Sequence, residues 1–197
     1  MSKNEILAYK ELPENYNAAI KLDAKSFVGL VTGVGAGLLL LAVCVLPCLN
    51  EIKSFFTDSM IAAVLLLICE CVLSLFTSKP HEELHRWALR IHGLDGSITM
   101  QDITPNVKCE SYMTQKVYIF YTLTPMCVLG GFFALLSVLS PIAELRVFFA
   151  VQTGLALAGG GSDLVNVLIA SKLGKDTLVK DDGTVFTFYR PEYKEVR

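Results

Sequence analysis

The chain has 197 residues, 53% of them hydrophobic, and a formal net charge of −2. A soluble domain of this size carries a smaller apolar share, and the slightly acidic balance excludes a nucleic-acid partner. Composition therefore points to a protein embedded in membrane lipid.

Residues 1–25 read as a polar tail with a short amphipathic stretch. Phe27 to Leu49 follows without a charge. It is long enough to cross a bilayer core, which takes ~20 apolar residues. It starts too late to be a cleavable signal peptide. Gly29, Gly33 and Gly37 form a close-packing face for another helix, either inside this bundle or across a homodimer. Ser59 to Thr77 is the second apolar stretch, with the single charge of Glu70. It runs into His81-Glu82-Glu83-Leu84-His85. Glu70, Ser74, Ser78, His81 and His85 share one helical face, which favours a continuous helix to about residue 92. Pro80 either kinks that helix or opens a new amphipathic one in its first turn.

Residues 94–116 are too polar to span, and Ser97 to Gln101 and Asn106 to Tyr112 are short candidate strands around Thr104-Pro105. Val117 to Leu139 is a third, uncharged span. Val147 to Ser171 is the fourth, interrupted by Gly159-Gly160-Gly161 and then Asp163. Thr177 to Lys180, the turn Asp181-Asp182-Gly183 and Thr184 to Tyr189 read as a hairpin ended by Pro191.

The expected fold is an all-α membrane protein, a four-transmembrane-helix bundle with short cytoplasmic β-hairpin-like segments. Residues 1–25 form its cytoplasmic N-terminal tail, 26–175 its four-span domain and 176–197 a cytoplasmic C-terminal tail. All but two of the 17 Lys and Arg residues, Lys53 and Arg146, fall before the first span, between the second and third, or after the fourth. The positive-inside rule puts both termini and the motif loop in the cytoplasm. Cys44, Cys48, Cys69, Cys71, Cys109 and Cys127 follow no metal-binding or redox spacing and read as reduced packing residues.

The motif carries the chemistry. On a helix, His81 and His85 lie on one face and can grip one metal ion, while Glu82 is rotated by about 100° and can activate a water there. Two imidazoles with one later carboxylate make a catalytic zinc site with an open fourth position, one Zn2+ per chain. Asp163 is the strongest candidate for the third ligand, because an acid deep in apolar sequence is costly unless a cation compensates it. It can also cap a helix after the glycine break, as can Ser162. His92 lies two turns from His85, and Glu144 falls on the opposite membrane side. Glu70 is too far from His81 to be a ligand and is expected to be protonated and hydrogen-bonded inside the bundle. Glu70, Ser78 and Asn166 are candidates for supporting the ligands or contacting substrate.

His81-Glu82-Glu83-Leu84-His85, Thr122-Leu123-Thr124-Pro125 and Gly161-Ser162-Asp163-Leu164, followed by an Asp-Asp-Gly hairpin, give the chain a resemblance to a family. It resembles, over roughly residues 25–190, the small bacterial membrane proteins classed as zincin peptidases under domain of unknown function 3267. The arrangement is also similar to the site-2 protease class of intramembrane zinc metalloproteases. The resemblance implies that His81, His85 and Asp163 are ligands and Glu82 the catalytic base. It also implies a bacterial cell-membrane location and a membrane-anchored or membrane-proximal polypeptide substrate. The site-2 pattern of Leu-Asp-Gly with an upstream asparagine is replaced here by Ser162-Asp163-Leu164 with Asn166 downstream. Two other readings stand beside the peptidase: a non-catalytic zinc-binding scaffold or regulator, and a small cation transporter using Glu70 and Asp163.

Overall fold

The computed structural model describes residues 7–58, 60–101 and 104–192. Residues 1–6 of the expected N-terminal tail, with Lys3, lie outside the described residues, as do Lys194 and Arg197 of the C-terminal one.

Ser26 starts the helical part by accepting the Gly29 N–H at 3.1 Å, which caps α1 (Phe27–Val45). A 3-10 turn around Pro47 leads into α2 (Leu49–Asp58). α3 (Met60–Ile91) runs unbroken through Pro80, so the continuous-helix alternative holds. Thr77 and Ser78, just before the proline, donate their hydroxyls to the carbonyls of Ser74 and Leu75 at 2.9 and 2.8 Å. The next span is α4 (Gln115–Pro125), a π-helical turn at Met126–Gly130, and α5 (Gly131–Leu139). α6 (Ala143–Gly159) and α7 (Gly161–Leu173) follow, bent by 50° where they meet.

Glycine lets the bent junction pack tightly against α1. A Cβ on Gly161 would lie 2.3 Å from the Gly33 carbonyl oxygen, and one on Gly37 would lie 2.7 Å from the Ala158 oxygen. The glycine face of α1 thus receives the α6–α7 junction of the same chain, backbone against backbone.

The all-α expectation is corrected by the strands. β1 (Ala8–Tyr9), β2 (Tyr16–Asp23), β3 (Gly96–Gln101), β4 (Thr104–Thr114), β5 (Leu178–Asp181) and β6 (Val185–Pro191) build one six-stranded antiparallel sheet. Its order is β1-β4-β5-β6-β2, with β3 also paired to β4. The two expected hairpins are present, but they are joined to each other and extended by the tail that precedes α1. β2 alternates: Ile20 and Leu22 are half-buried opposite Phe188 and Phe186, while Lys21 and Asp23 are exposed. A strand with one wet face reads as polar sequence until its partner is known.

The largest buried cluster lies under this sheet. Val107, Cys109, Met113, Val179 and Phe188 from the strands pack on Ala88 and Leu89 of α3, Val117, Tyr118 and Tyr121 of α4, and Ala170 of α7. The sheet collects segments from before α1, between α3 and α4, and after α7. The chain therefore traverses the helical layer an even number of times between successive visits.

Among the described residues, three helical stretches are long and apolar enough to cross a membrane: Phe27–Ser54, Ala63–Ile91 and Gln115–Leu139. The bent pair α6–α7 makes a fourth if it counts as one span.

Candidate metal centre

His81 and His85 stand one turn apart on α3, their ring centroids 4.9 Å from each other. The bend before α7 brings Asp163, in the first turn of that helix, against them. Asp163 Oδ2 is 3.5 Å from His81 Nε2 and 3.6 Å from His85 Nε2. One ligand atom from each residue lies within 4.8 Å of the others. Tetrahedral zinc bonds of ~2.0–2.1 Å put neighbouring ligand atoms about 3.4 Å apart, so the carboxylate already stands near that spacing from each imidazole.

His85 is also fixed from behind. It is only 5% exposed, and its Nδ1 lies 3.0 Å from the carbonyl oxygen of Tyr121 on α4. That carbonyl can only accept, so Nδ1 carries a hydrogen, and Nε2 is the nitrogen left to face Asp163. The Tyr121 ring packs on the imidazole at 4.7 Å between centroids.

Glu82 enters the same space from the adjacent helix position. Its Oε2 accepts the Val107 N–H of β4 at 3.1 Å, so the sheet holds the carboxylate that the helix carries. His81, Glu82, His85, Asp163 and Ser78 all line one cavity of about 460 Å³ at the junction of helices and sheet. Pro105, Asn106 and Val107 of β4 form part of its wall.

The other candidates separate from this group. Asn166 is buried, sits beside Tyr118 and does not line the cavity. Glu70 is buried further along α3, where the Gln152 side-chain amide donates to its carboxylate and, at 3.1 Å, to its carbonyl. It lines a different, mostly apolar cavity of about 610 Å³ between α1, α3 and α6. His92 bonds the Ala88 carbonyl at 2.9 Å and packs on Phe120. Glu144 sits in the first turn of α6, and Glu83 pairs with Arg86 at 2.8 Å. All six cysteines are free thiols.

Asp181 was not legible as part of this site. It ends β5 almost completely buried, lines the cavity, and accepts the Tyr121 hydroxyl at 2.7 Å and the Gly183 N–H at 2.8 Å. Burial pushes its carboxyl up to about 7, and those two hydrogen bonds only partly offset the push. In the sequence it reads as the first residue of an Asp-Asp-Gly turn. The bond to Gly183 is indeed such a turn, and only the tertiary fold adds Tyr121.

Compared with known proteins, the chain matches no family model, no curated protein and no solved structure. The family resemblance rests on the motif residues themselves.

Proposed function

We propose that the protein is a membrane-embedded zinc metallopeptidase, similar in its site to the zincin and site-2 protease classes. It would hydrolyse peptide bonds of membrane-anchored or membrane-proximal polypeptides near the cytoplasmic face. One observation carries the reading: His81, His85 and Asp163 converge at ligand spacing, with Glu82 beside them and a cavity in front. The donor set, two imidazoles and one carboxylate, suits one zinc ion per chain with a fourth position left toward the cavity. Bound there, zinc would polarise the scissile carbonyl and lower the pKa of a water toward ~7.

Glu82 is the residue placed to move the proton. As the water oxygen joins the carbonyl carbon, its carboxylate takes the water proton, and it returns a proton to the amine as the C–N bond breaks. The Val107 N–H holds Glu82 in line for both transfers. Pro105, Asn106 and Val107 of β4 line the same space, so a polypeptide in the cavity would lie beside them.

The membrane part of the proposal draws on three facts. Large apolar side chains such as Leu65, Leu75 and Phe76 point outward from the helical layer. The even number of traverses suits four spans, with α6–α7 as one of them. The basic residues gather with the sheet, which supports a cytoplasmic sheet in a cell membrane. A zinc-binding scaffold would keep the metal and cleave nothing, and a cation transporter has no need of Glu82. The test is turnover of a peptide library by purified protein. Wild type should cleave, and Glu82→Gln should keep its zinc while losing hydrolysis about 10²–10⁴-fold. Cleavage at the wild-type rate by Glu82→Gln contradicts the proposal.

A further inference from the structure

In an α-helix each carbonyl accepts the N–H four residues on. For Tyr121 that donor would belong to residue 125, which is a proline inside α4 and has none. The next N–H, that of Met126, goes to the Leu123 carbonyl instead. Tyr121 is 3% exposed, and a buried carbonyl left without a donor is costly. His85 supplies the donor through Nδ1, at 3.0 Å.

We infer that Pro125, Tyr121 and Asp181 act together as positioning residues for His85. Pro125 opens a carbonyl in α4 for the imidazole to bond. Tyr121 offers that carbonyl and lays its ring on the same imidazole at 4.7 Å. Asp181 holds the Tyr121 hydroxyl at 2.7 Å and is itself held by Gly183. The β5–β6 turn is thereby tied to His85 through a single tyrosine, and the ring is turned so that Nε2 faces Asp163. A ligand histidine whose other nitrogen has a fixed acceptor binds metal more tightly, and losing such a partner typically costs 10–100-fold in affinity. This rests on the metal-centre reading in the preceding section. It gives the Thr122-Leu123-Thr124-Pro125 segment a task beyond bending a span.

Two measurements on the full-length protein test it. The first is zinc affinity by chelator competition, set beside thermal unfolding of the zinc-free protein. In Pro125→Ala the restored N–H competes for the Tyr121 carbonyl. Zinc affinity should fall about 10–100-fold, while the zinc-free protein unfolds at the same temperature or higher, because α4 regains a bond. A proline that only shapes the helix would move affinity and stability together, and that result overturns the inference. Tyr121→Phe keeps the ring and the carbonyl but releases Asp181, and should weaken zinc less than Pro125→Ala. Unchanged affinity in Pro125→Ala, or in Tyr121→Phe should the first variant not fold, also overturns it.

The second measurement needs no metal and stands apart from the peptidase reading. Nitrogen NMR of His85 at alkaline pH, in zinc-free Asp163→Ala protein so that no carboxylate competes for the proton, should place it on Nδ1 and shift it toward Nε2 when Pro125→Ala is added. A His85 protonated on Nε2 in the Asp163→Ala protein overturns the inference whatever the zinc or peptide assays give.

Discussion

Between Met60 and Phe76, α3 turns its large apolar side chains outward: Ile61, Leu65, Leu75 and Phe76 are all more than half exposed, whereas Glu70 is 4% exposed. Between Glu83 and Leu89 the same helix packs against the sheet. Ala88 and Leu89 are fully buried there, Glu83 and Arg86 pair half-exposed, and Trp87 is 52% exposed. An outward apolar face with an inward acid fits surroundings of hydrocarbon, and a buried apolar face with outward charges fits water. On the membrane proposal, the medium around α3 changes along its length. His81 and His85 stand between the two stretches, where one helix can reach both a helical-layer partner, Asp163, and a sheet-layer one, Val107 through Glu82.

The comparison is broken most severely by the chemistry at the seam. His81→Ala and His85→Ala should each lose zinc and hydrolysis together. That differs from Glu82→Gln, which should keep the metal, because on the proposed assignment the imidazoles are ligands and Glu82 is not. If an alanine variant of either histidine retains wild-type turnover with full zinc, the ligand assignment fails.

Next in size is the packing under the sheet. Phe188 is fully buried and Phe76 is 73% exposed. Phe188→Ala should cost about 3–5 kcal/mol in an unfolding titration, and Phe76→Ala should stay within about 0.5 kcal/mol. Equal losses would mean that the outward face of α3 is covered in the native state and the two halves do not differ.

A charge sharpens the contrast at similar exposure. Leu65 and Ile91 are 57% and 53% exposed, but only Leu65 lies in the part read as lipid-facing. Leu65→Lys should disfavour membrane insertion by roughly 2.5–3.5 kcal/mol, scored as the inserted fraction of the nascent chain, and Ile91→Lys should leave it near wild type. The same outcome for both substitutions removes the change of medium.

A pH effect belongs to Asp181, in the sheet half. Its carboxyl stands at about 7 in the folded protein through burial, facing Tyr121, Gly183, His85 and Asp163, against ~3.9 in an unfolded chain. Between those values the folded form holds a proton that the unfolded chain has lost. Its contribution to stability is therefore full below the unfolded value, falls as pH rises through about 7, and is level above. Asp181→Asn has no such proton. Melts from acid to neutral pH should show the stability difference moving in favour of the variant, and a pH-independent difference contradicts the assignment.

What could be read from residues alone follows from distance along the chain. His81, Glu82 and His85 are a local pattern, and Asp163 announces itself as a charge in an apolar run. The bend at Gly159-Gly160-Gly161 was legible for the same reason. The sheet was not: β2 pairs Tyr16 with Pro191, and neither eight residues of alternating tail nor an Asp-Asp-Gly turn names its partner. Asn166 and Glu70 shared the composition of site residues, but packing sends Asn166 to Tyr118 and Glu70 to Gln152. The vacancy at the Tyr121 carbonyl was implicit in Pro125, but that His85 fills it is a tertiary fact.

The central claim is that α7 completes a metal site begun on α3, and zinc stoichiometry of purified protein tests it most directly. The account predicts one zinc per wild-type chain, little in Asp163→Ala, an intermediate amount in Asp163→Asn, and about one per chain in both His92→Ala and Glu144→Ala. Full zinc in Asp163→Ala together with its loss in His92→Ala, or no zinc in the wild type, would contradict it.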